Sequence, residues 1–170
     1  MYAGKSLELL IEAASGVHAA DPAFRLLMVG DGPSRAHAQA ASEGLEFIRW
    51  LGVQRGTEKA ALMAVSDFML MPGSIGLAIV DAFTAGLPLL ATEAPGHGPE
   101  LAYLVPGSNG ALTRADAASY IAIIRELLGN PQQLHRWRRQ AASDGQRYSV
   151  EGMAERFGQG ILDALAHPRL

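Results

Sequence analysis

Short, nearly continuous apolar runs alternate with amphipathic stretches along the first two thirds of the chain, and this alternation predicts a strand-and-helix repeat. Over residues 5–17, Leu7, Leu10, Ile11, Ala14 and Val17 fall on one face of a 3.6-residue period, with Lys5, Glu8 and Glu12 away from it. Residues 24–29 (FRLLMV) then run apolar into Gly30-Asp31-Gly32-Pro33, as expected of a strand covered on both faces. Pro33 suits the first turn of a helix reaching residue 42, residues 45–51 form the next strand, closed by Gly52, and Thr57 caps a third helix through residue 65. Residues 67–71 predict a strand, 76–85 a helix and 87–91 another strand. A loop through His97, a helical turn opened by Pro99 and a small strand over 109–113 end the sheet.

Helical patterns fill the remainder: residues 116–128, then 131–143 behind an Asn130 cap, then 150–166, where Met153, Phe157, Ile161 and Leu165 recur at spacing four. Connections too long for hairpins imply parallel strands. The expected fold is therefore α/β, a Rossmann-like doubly wound parallel sheet in a single domain. Such a sheet usually opens with a strand, yet residues 1–3 lead almost directly into the first helix, so the first strand is expected upstream of Met1.

Composition narrows the function classes. A chain of 170 residues with 49% hydrophobic content can build a core without metal or disulfide. The absence of Cys removes disulfides and thiol nucleophiles and suits a cytoplasmic protein. A formal net charge of -3 lacks the basic excess that nucleic-acid backbones demand. No apolar run approaches the roughly 20 residues that span a bilayer.

Open parallel sheets bind ligands beyond the carboxyl ends of their strands, where helix N-termini present backbone amides. Four stretches belong there: residues 30–33, 52–56, 72–77 and 94–99. Pro72-Gly73-Ser74-Ile75-Gly76 follows a strand and opens a helix, and its glycines allow backbone to approach a phosphate; a plain strand-to-helix turn satisfies the same pattern. Asp81 lies within an apolar run, LAIVDAF, that predicts a helix buried on most sides, so its carboxylate needs a partner. Ribose hydroxyls, a backbone amide or a basic side chain would each serve. Lys5 stands on the same edge and can neutralise a diphosphate or face solvent, and His97 sits in a loop there, as a ligand contact or a surface residue. No metal-ligand spacing, hydrolase elbow or complete GxGxxG is present. The basic run over residues 136–139 reads as a solvated helix face, with an acidic surface or membrane headgroups as the alternative.

Taken together, these residues resemble the C-terminal domain of glycosyltransferase family 4, a group of retaining GT-B enzymes. Residues 4–13 (GKSLELLIEA) are similar to the family's glycine-lysine helix opening, and 27–33 (LMVGDGP) to its strand ending in GDGP. Trp50-Leu51-Gly52, Glu58-Lys59 and Ser66-Asp67 keep its spacing. Residues 76–88 (GLAIVDAFTAGLP) resemble its most diagnostic stretch, followed by Pro99-Glu100 and Asn109-Gly110.

The resemblance implies that residues 1–170 form a nucleotide-sugar donor domain whose acceptor domain is absent from this chain. It pairs Lys5 with the donor diphosphate and offers the amides of Gly73, Ser74, Ile75, Gly76 and Leu77 to phosphate and sugar. Asp81 would hold the ribose, Gly52, Val53, Gln54 and Arg55 would contact the base, and Gly30 and His97 complete the donor-binding set. It also implies UDP- or GDP-sugar as substrate, no required metal or other cofactor, and a cytoplasmic location, with peripheral contact at the inner membrane face left open. Two departures stand out: Asp81 replaces the second glutamate of the E-x7-E motif, and Gly73 stands where the first should be. Altered sugar recognition or lost transfer activity would follow. The alternative function is a non-catalytic nucleotide-binding or protein-interaction module of the same fold.

Overall fold

The structure is a computed structural model, and it describes residues 1–167. The described residues form five strands, β1 (Leu26–Val29), β2 (Ile48–Gly52), β3 (Met69–Met71), β4 (Leu89–Thr92) and β5 (Gly110–Thr113). Between and after them run α1 (Leu7–Ala20), α2 (Arg35–Ala41), α3 (Gly56–Ala64), α4 (Ala78–Thr84), α5 (Ala117–Leu128), α6 (Pro131–Gly145) and α7 (Val150–Ala166). Short 3-10 turns occupy Ala3–Lys5 and Pro99–Tyr103.

Each strand is an apolar run too short to hide a helix's worth of surface, and every strand pair is parallel. β4 shows why the order is doubly wound. Its Leu90 packs into the core with α1 and α5, through Val17, Tyr120 and Ile124, whereas Leu89 and Ala91 point the other way into Ile79, Ala82 and Phe83 of α4 and Ala141 of α6. The strand is buried along its whole length.

Two local features depart from the sequence expectation, and a third goes beyond it. The sheet is interrupted: β1 pairs with β2, β3 with β4 and β4 with β5, but β1 and β3 share no ladder. Thr57 does not cap α3; Arg55 holds the N-cap position without a side-chain bond, and the Thr57 hydroxyl turns to Glu58 instead. α7 buries none of its residues, leaving Met153, Phe157, Ile161 and Leu165 exposed. By contrast Asn130 caps α6 as expected, accepting from the Gln133 amide at 3.0 Å, and Asp116 caps α5 through the Ser119 amide at 2.7 Å. Among the described residues no helix is long and apolar enough to cross a membrane.

Candidate functional site

The loop between β3 and α4 is the most heavily tied segment at the carboxyl edge of the strands. Residues 72–75 are buried, which is unusual for a connection and requires internal partners for the backbone. The Ser74 amide donates to the Gly4 carbonyl at 2.7 Å, and the Ser74 hydroxyl donates to the same oxygen at 3.0 Å. Lys5 closes the bracket from the other side, its Nζ donating to the Ser74 carbonyl at 2.6 Å. Thr92, fully buried at the end of β4, donates its hydroxyl to the Pro72 carbonyl.

Gly73 owes its identity to this bracket. A Cβ there would overlap the Gly4 carbonyl oxygen and the backbone of Lys5, so the missing side chain makes room for the 3-10 turn rather than for a ligand. Gly76 is different: a Cβ would meet nothing within 4 Å, and its backbone faces open space. Of the loop amides, Ser74 and Ile75 are engaged inside the protein, while those of Gly76 and Leu77 find no acceptor among the described residues.

His97 belongs to the same construction and is not a free surface residue. Its Nδ1 accepts from the Ile75 amide at 3.2 Å, which places the ring hydrogen on Nε2, and Nε2 donates to the Thr92 carbonyl at 2.7 Å. The two bonds hold the imidazole between the end of β4 and the loop. Its position explains how residues 94–99, whose sequence reads only as loop, can fix the entrance to α4.

Asp81 departs from the burial expected for it. On α4 the residues turned inward are Ile79, Ala82 and Phe83, and the opposite face carries Leu77, Asp81 and Thr84. The apolar run is continuous because its exposed face happens to include Leu77, which is 71% exposed. Asp81 does have a partner, Lys59 Nζ at 2.8 Å, but both side chains remain well exposed. Lys59 projects from α3; the sequence marks it only as part of the Glu58-Lys59 pair that keeps the family's spacing, and its partnership with Asp81, 22 residues away, leaves no local signal.

Lys5, Gly30, Lys59 and Asp81 border a cavity of about 710 Å3 that runs along the whole of β1 and β3. Lys5 Nζ also lies 5.2 Å from the centre of the Tyr2 ring, and the Tyr2 hydroxyl approaches Ser74 Oγ at 3.5 Å. The Ser74 contact, with the Lys5 charge second, draws the Tyr2 phenol below its ordinary pKa. Gly52, with φ of 68°, accepts the Gly30 amide at 2.7 Å through its carbonyl, which joins the ends of β1 and β2. Val53 and Arg55 are exposed beyond it, and the Gln54 amide donates to the Leu51 carbonyl at 2.6 Å; these three do not border the cavity. Arg35, a residue missed from sequence, lies beside Gly52 and 3.7 Å from Asp31. Among the described residues no three His, Asp or Glu side chains stand together as a metal site.

The chain's relatives can now be set beside this geometry. The pattern of the family described as "Glycosyl transferases group 1" matches residues 1–130. Phosphatidyl-myo-inositol mannosyltransferase of Mycobacterium leprae is 30% identical over 130 residues, covering 71% of this chain and 34% of that protein. Among solved structures, Anabaena Alr3699/HepE, crystallised with UDP-glucose, shares 24% identity at a TM-score of 0.77, covering 96% of this chain and 46% of that one. The C-terminal domain of a Francisella tularensis glycosyl transferase group 1 protein, LpcC, shares 17% identity at a TM-score of 0.73, covering 88% and 83%. The chain spans about a third of the length of the curated relatives it matches. With a Rossmann-like fold of GT-B type and a family match across most of its length, the chain belongs to the group 1 glycosyl transferases.

Proposed function

We propose that this chain is the donor-binding half of a retaining glycosyltransferase, gripping the nucleoside diphosphate of a UDP- or GDP-sugar while a second domain presents the acceptor hydroxyl. The observation that carries the reading is the convergence of Lys5 and Asp81 on one cavity, beside the two loop amides, Gly76 and Leu77, that have no internal acceptor. The ammonium of Lys5 and these amides would hold the diphosphate and stabilise the charge it gains as the glycosidic bond breaks. No metal is invoked. Asp81 would exchange Lys59 for the ribose hydroxyls, at little cost because an exposed ion pair contributes only about 0–1 kcal/mol. Gly52, Val53, Gln54 and Arg55 would face the base.

Titration calorimetry with UDP and with GDP tests the reading. Binding is expected at up to millimolar ligand, weakened by Asp81→Ala and by Lys5→Ala. Heat identical to buffer dilution for both nucleotides at 5–10-fold above ~1 mM, where binding energies fall to about 4 kcal/mol, would sink it.

One observation favours a second reading, a nucleotide-binding module without transfer. The position that the family fills with the first glutamate of its motif is Gly73, and the Gly4 and Lys5 backbone occupies the space where any side chain would begin. Sugar contacts made by that glutamate therefore have no counterpart here. A radiolabelled-donor assay on the protein joined to an acceptor domain separates the two readings: nucleotide binding without sugar hydrolysis or transfer supports the second.

A further inference from the structure

Lys59 borders the cavity without a part in the donor site drawn above. It stands on α3 one turn beyond Arg55, its amide donating to the Arg55 carbonyl at 3.3 Å, and so follows directly on residues 52–55, the segment that would face the base. Its Nζ lies 2.8 Å from Oδ2 of Asp81, in the first turn of α4, and Asp81 borders the same cavity. Lys59 therefore joins the base segment to the carboxylate that would hold the ribose. Stability does not account for the pair: both side chains are more than a third exposed, and solvated ion pairs add little to a fold. Among the described residues Lys59 Nζ and the Asp81 carboxylate pair only with each other, so ammonium hydrogens and a carboxylate oxygen remain available to a ligand.

We infer that Lys59 is a second ribose-reading residue, donating to the 2′-oxygen of a bound nucleotide while Asp81 accepts from the ribose hydroxyls. The inference rests on the donor reading and adds to it a specificity residue that the diphosphate grip does not need. Complementarity decides the group. An ammonium only donates and a carboxylate only accepts, whereas a ribose hydroxyl does both, so the adjacent pair fills capacities that a carboxylate alone leaves open. A phosphate is the wrong occupant here, because it would stand against the like charge of Asp81. Position decides the hydroxyl. The ribose carbon that carries the 2′-hydroxyl adjoins the carbon that carries the base, and Lys59 is the member of the pair on the helix that opens from the base segment. When Asp81 turns to the ribose, Lys59 is not released to solvent: Nζ moves from the carboxylate to a hydroxyl that the same carboxylate holds, and the bond it makes there is charge-assisted.

The test compares UDP with 2′-deoxy-UDP, and GDP with 2′-deoxy-GDP, by titration calorimetry on the wild-type chain and on Lys59→Met. The wild type should prefer the ribonucleotide. Lys59→Met should weaken the ribonucleotide about tenfold, as expected for one lost hydrogen bond from a charged donor, and leave the 2′-deoxy nucleotide within about twofold. A lysine that merely shields Asp81 gives the opposite sign, since removing it frees the carboxylate. Lys59→Met that binds UDP or GDP as tightly as the wild type, or more tightly, would therefore overturn the inference. Equal losses for the ribo- and deoxynucleotide would assign Lys59 to the base or the phosphates and overturn it as well. Both outcomes leave the donor reading standing, whereas a wild type that binds neither UDP nor GDP removes that reading and this inference with it.

Discussion

Asp81 and Asp144 are both carboxylates on helices at the same core, yet their surroundings could hardly differ more. Asp144 of α6 is almost enclosed, with 11% of its side chain exposed, and its oxygens receive the Asn109 amide at 2.8 Å and the Gln140 amide at 3.1 Å, with Arg147 at 3.9 Å. Asn109, itself fully buried, also donates to the Tyr103 carbonyl and accepts the Val105 amide at 2.7 Å, so the pair bolts the approach to β5 onto α6. Asp81 keeps 48% of its side chain exposed and holds one lysine. A carboxylate with a full, enclosed set of donors is committed to the fold. One whose single partner is a solvated lysine beside a cavity can change partners, so the first is structural and the second is free to take the ligand role proposed for it.

The largest expected effect comes from breaking the committed side. Asn109→Leu leaves the Val105 amide, the Tyr103 carbonyl and one oxygen of Asp144 without a partner in the interior, and should cost about 3 kcal/mol. Urea unfolding would show this as a lower midpoint at unchanged m. A loss below about 1 kcal/mol would mean that the network is not the bolt described.

Sequence reasoning reached the five strands and the helices that follow them because each strand is an apolar run between turn residues, and that signal is local. It misplaced the burial of Asp81 and passed over Asp144 for a related reason. Asp81 sits among Ala, Ile, Val and Phe, and Asp144 among Ser, Gly, Gln and Arg, so neighbours along the chain suggest the wrong one is buried. Burial is decided by helix phase and by what packs opposite: α4 turns Ile79 and Phe83 inward, and α6 turns Trp137, Ala141 and Asp144. The glycines and Lys5 drew attention to the loop as a phosphate grip, but the internal bracket they build with Gly4 and Ser74 was not legible in them. Its closing elements, Thr92 and His97, act across 20 and 22 residues of sequence and leave no local trace.

Gly73→Ala should produce the next effect. A Cβ at this position must displace the Gly4 carbonyl or the Lys5 backbone, neither of which is the free end of a side chain, and the expected cost is about 2 kcal/mol. Gly76→Ala, in open space, is the control and should lose far less. Equal losses at the two glycines would remove the distinction between the packed and the open half of the loop.

A third carboxylate lies between the two extremes. Asp116 is at the surface, but its oxygens receive the Ser119 amide at 2.7 Å and the Ser119 hydroxyl at 2.9 Å, and these bonds, the backbone one foremost, hold its pKa below the ordinary value. A depressed folded pKa stabilises the protein above the unfolded value, about 3.9, and that contribution disappears as pH falls through the folded value. Asp116→Asn, which cannot titrate, should flatten the acid limb of Tm against pH below about pH 4. An acid limb indifferent to Asp116 would dismiss the cap as a source of acid sensitivity.

The smallest effect on stability is expected at Asp81, and it is the most informative. Asp81→Ala and Lys59→Ala should each change the unfolding free energy by no more than about 1 kcal/mol, and the double variant should show a coupling within that same range, since the pair is solvated on both sides. The affinity of Asp81→Ala for UDP or GDP should nevertheless fall about tenfold, or about 1.4 kcal/mol, because the hydroxyls it would hold are present only in the complex. A residue that matters to the fold moves both quantities together; a residue kept for a ligand moves only the second. If the affinity stays constant while the coupling exceeds about 3 kcal/mol, Asp81 belongs with Asp144, and the contrast between committed and exchangeable carboxylates fails at the point where function was assigned.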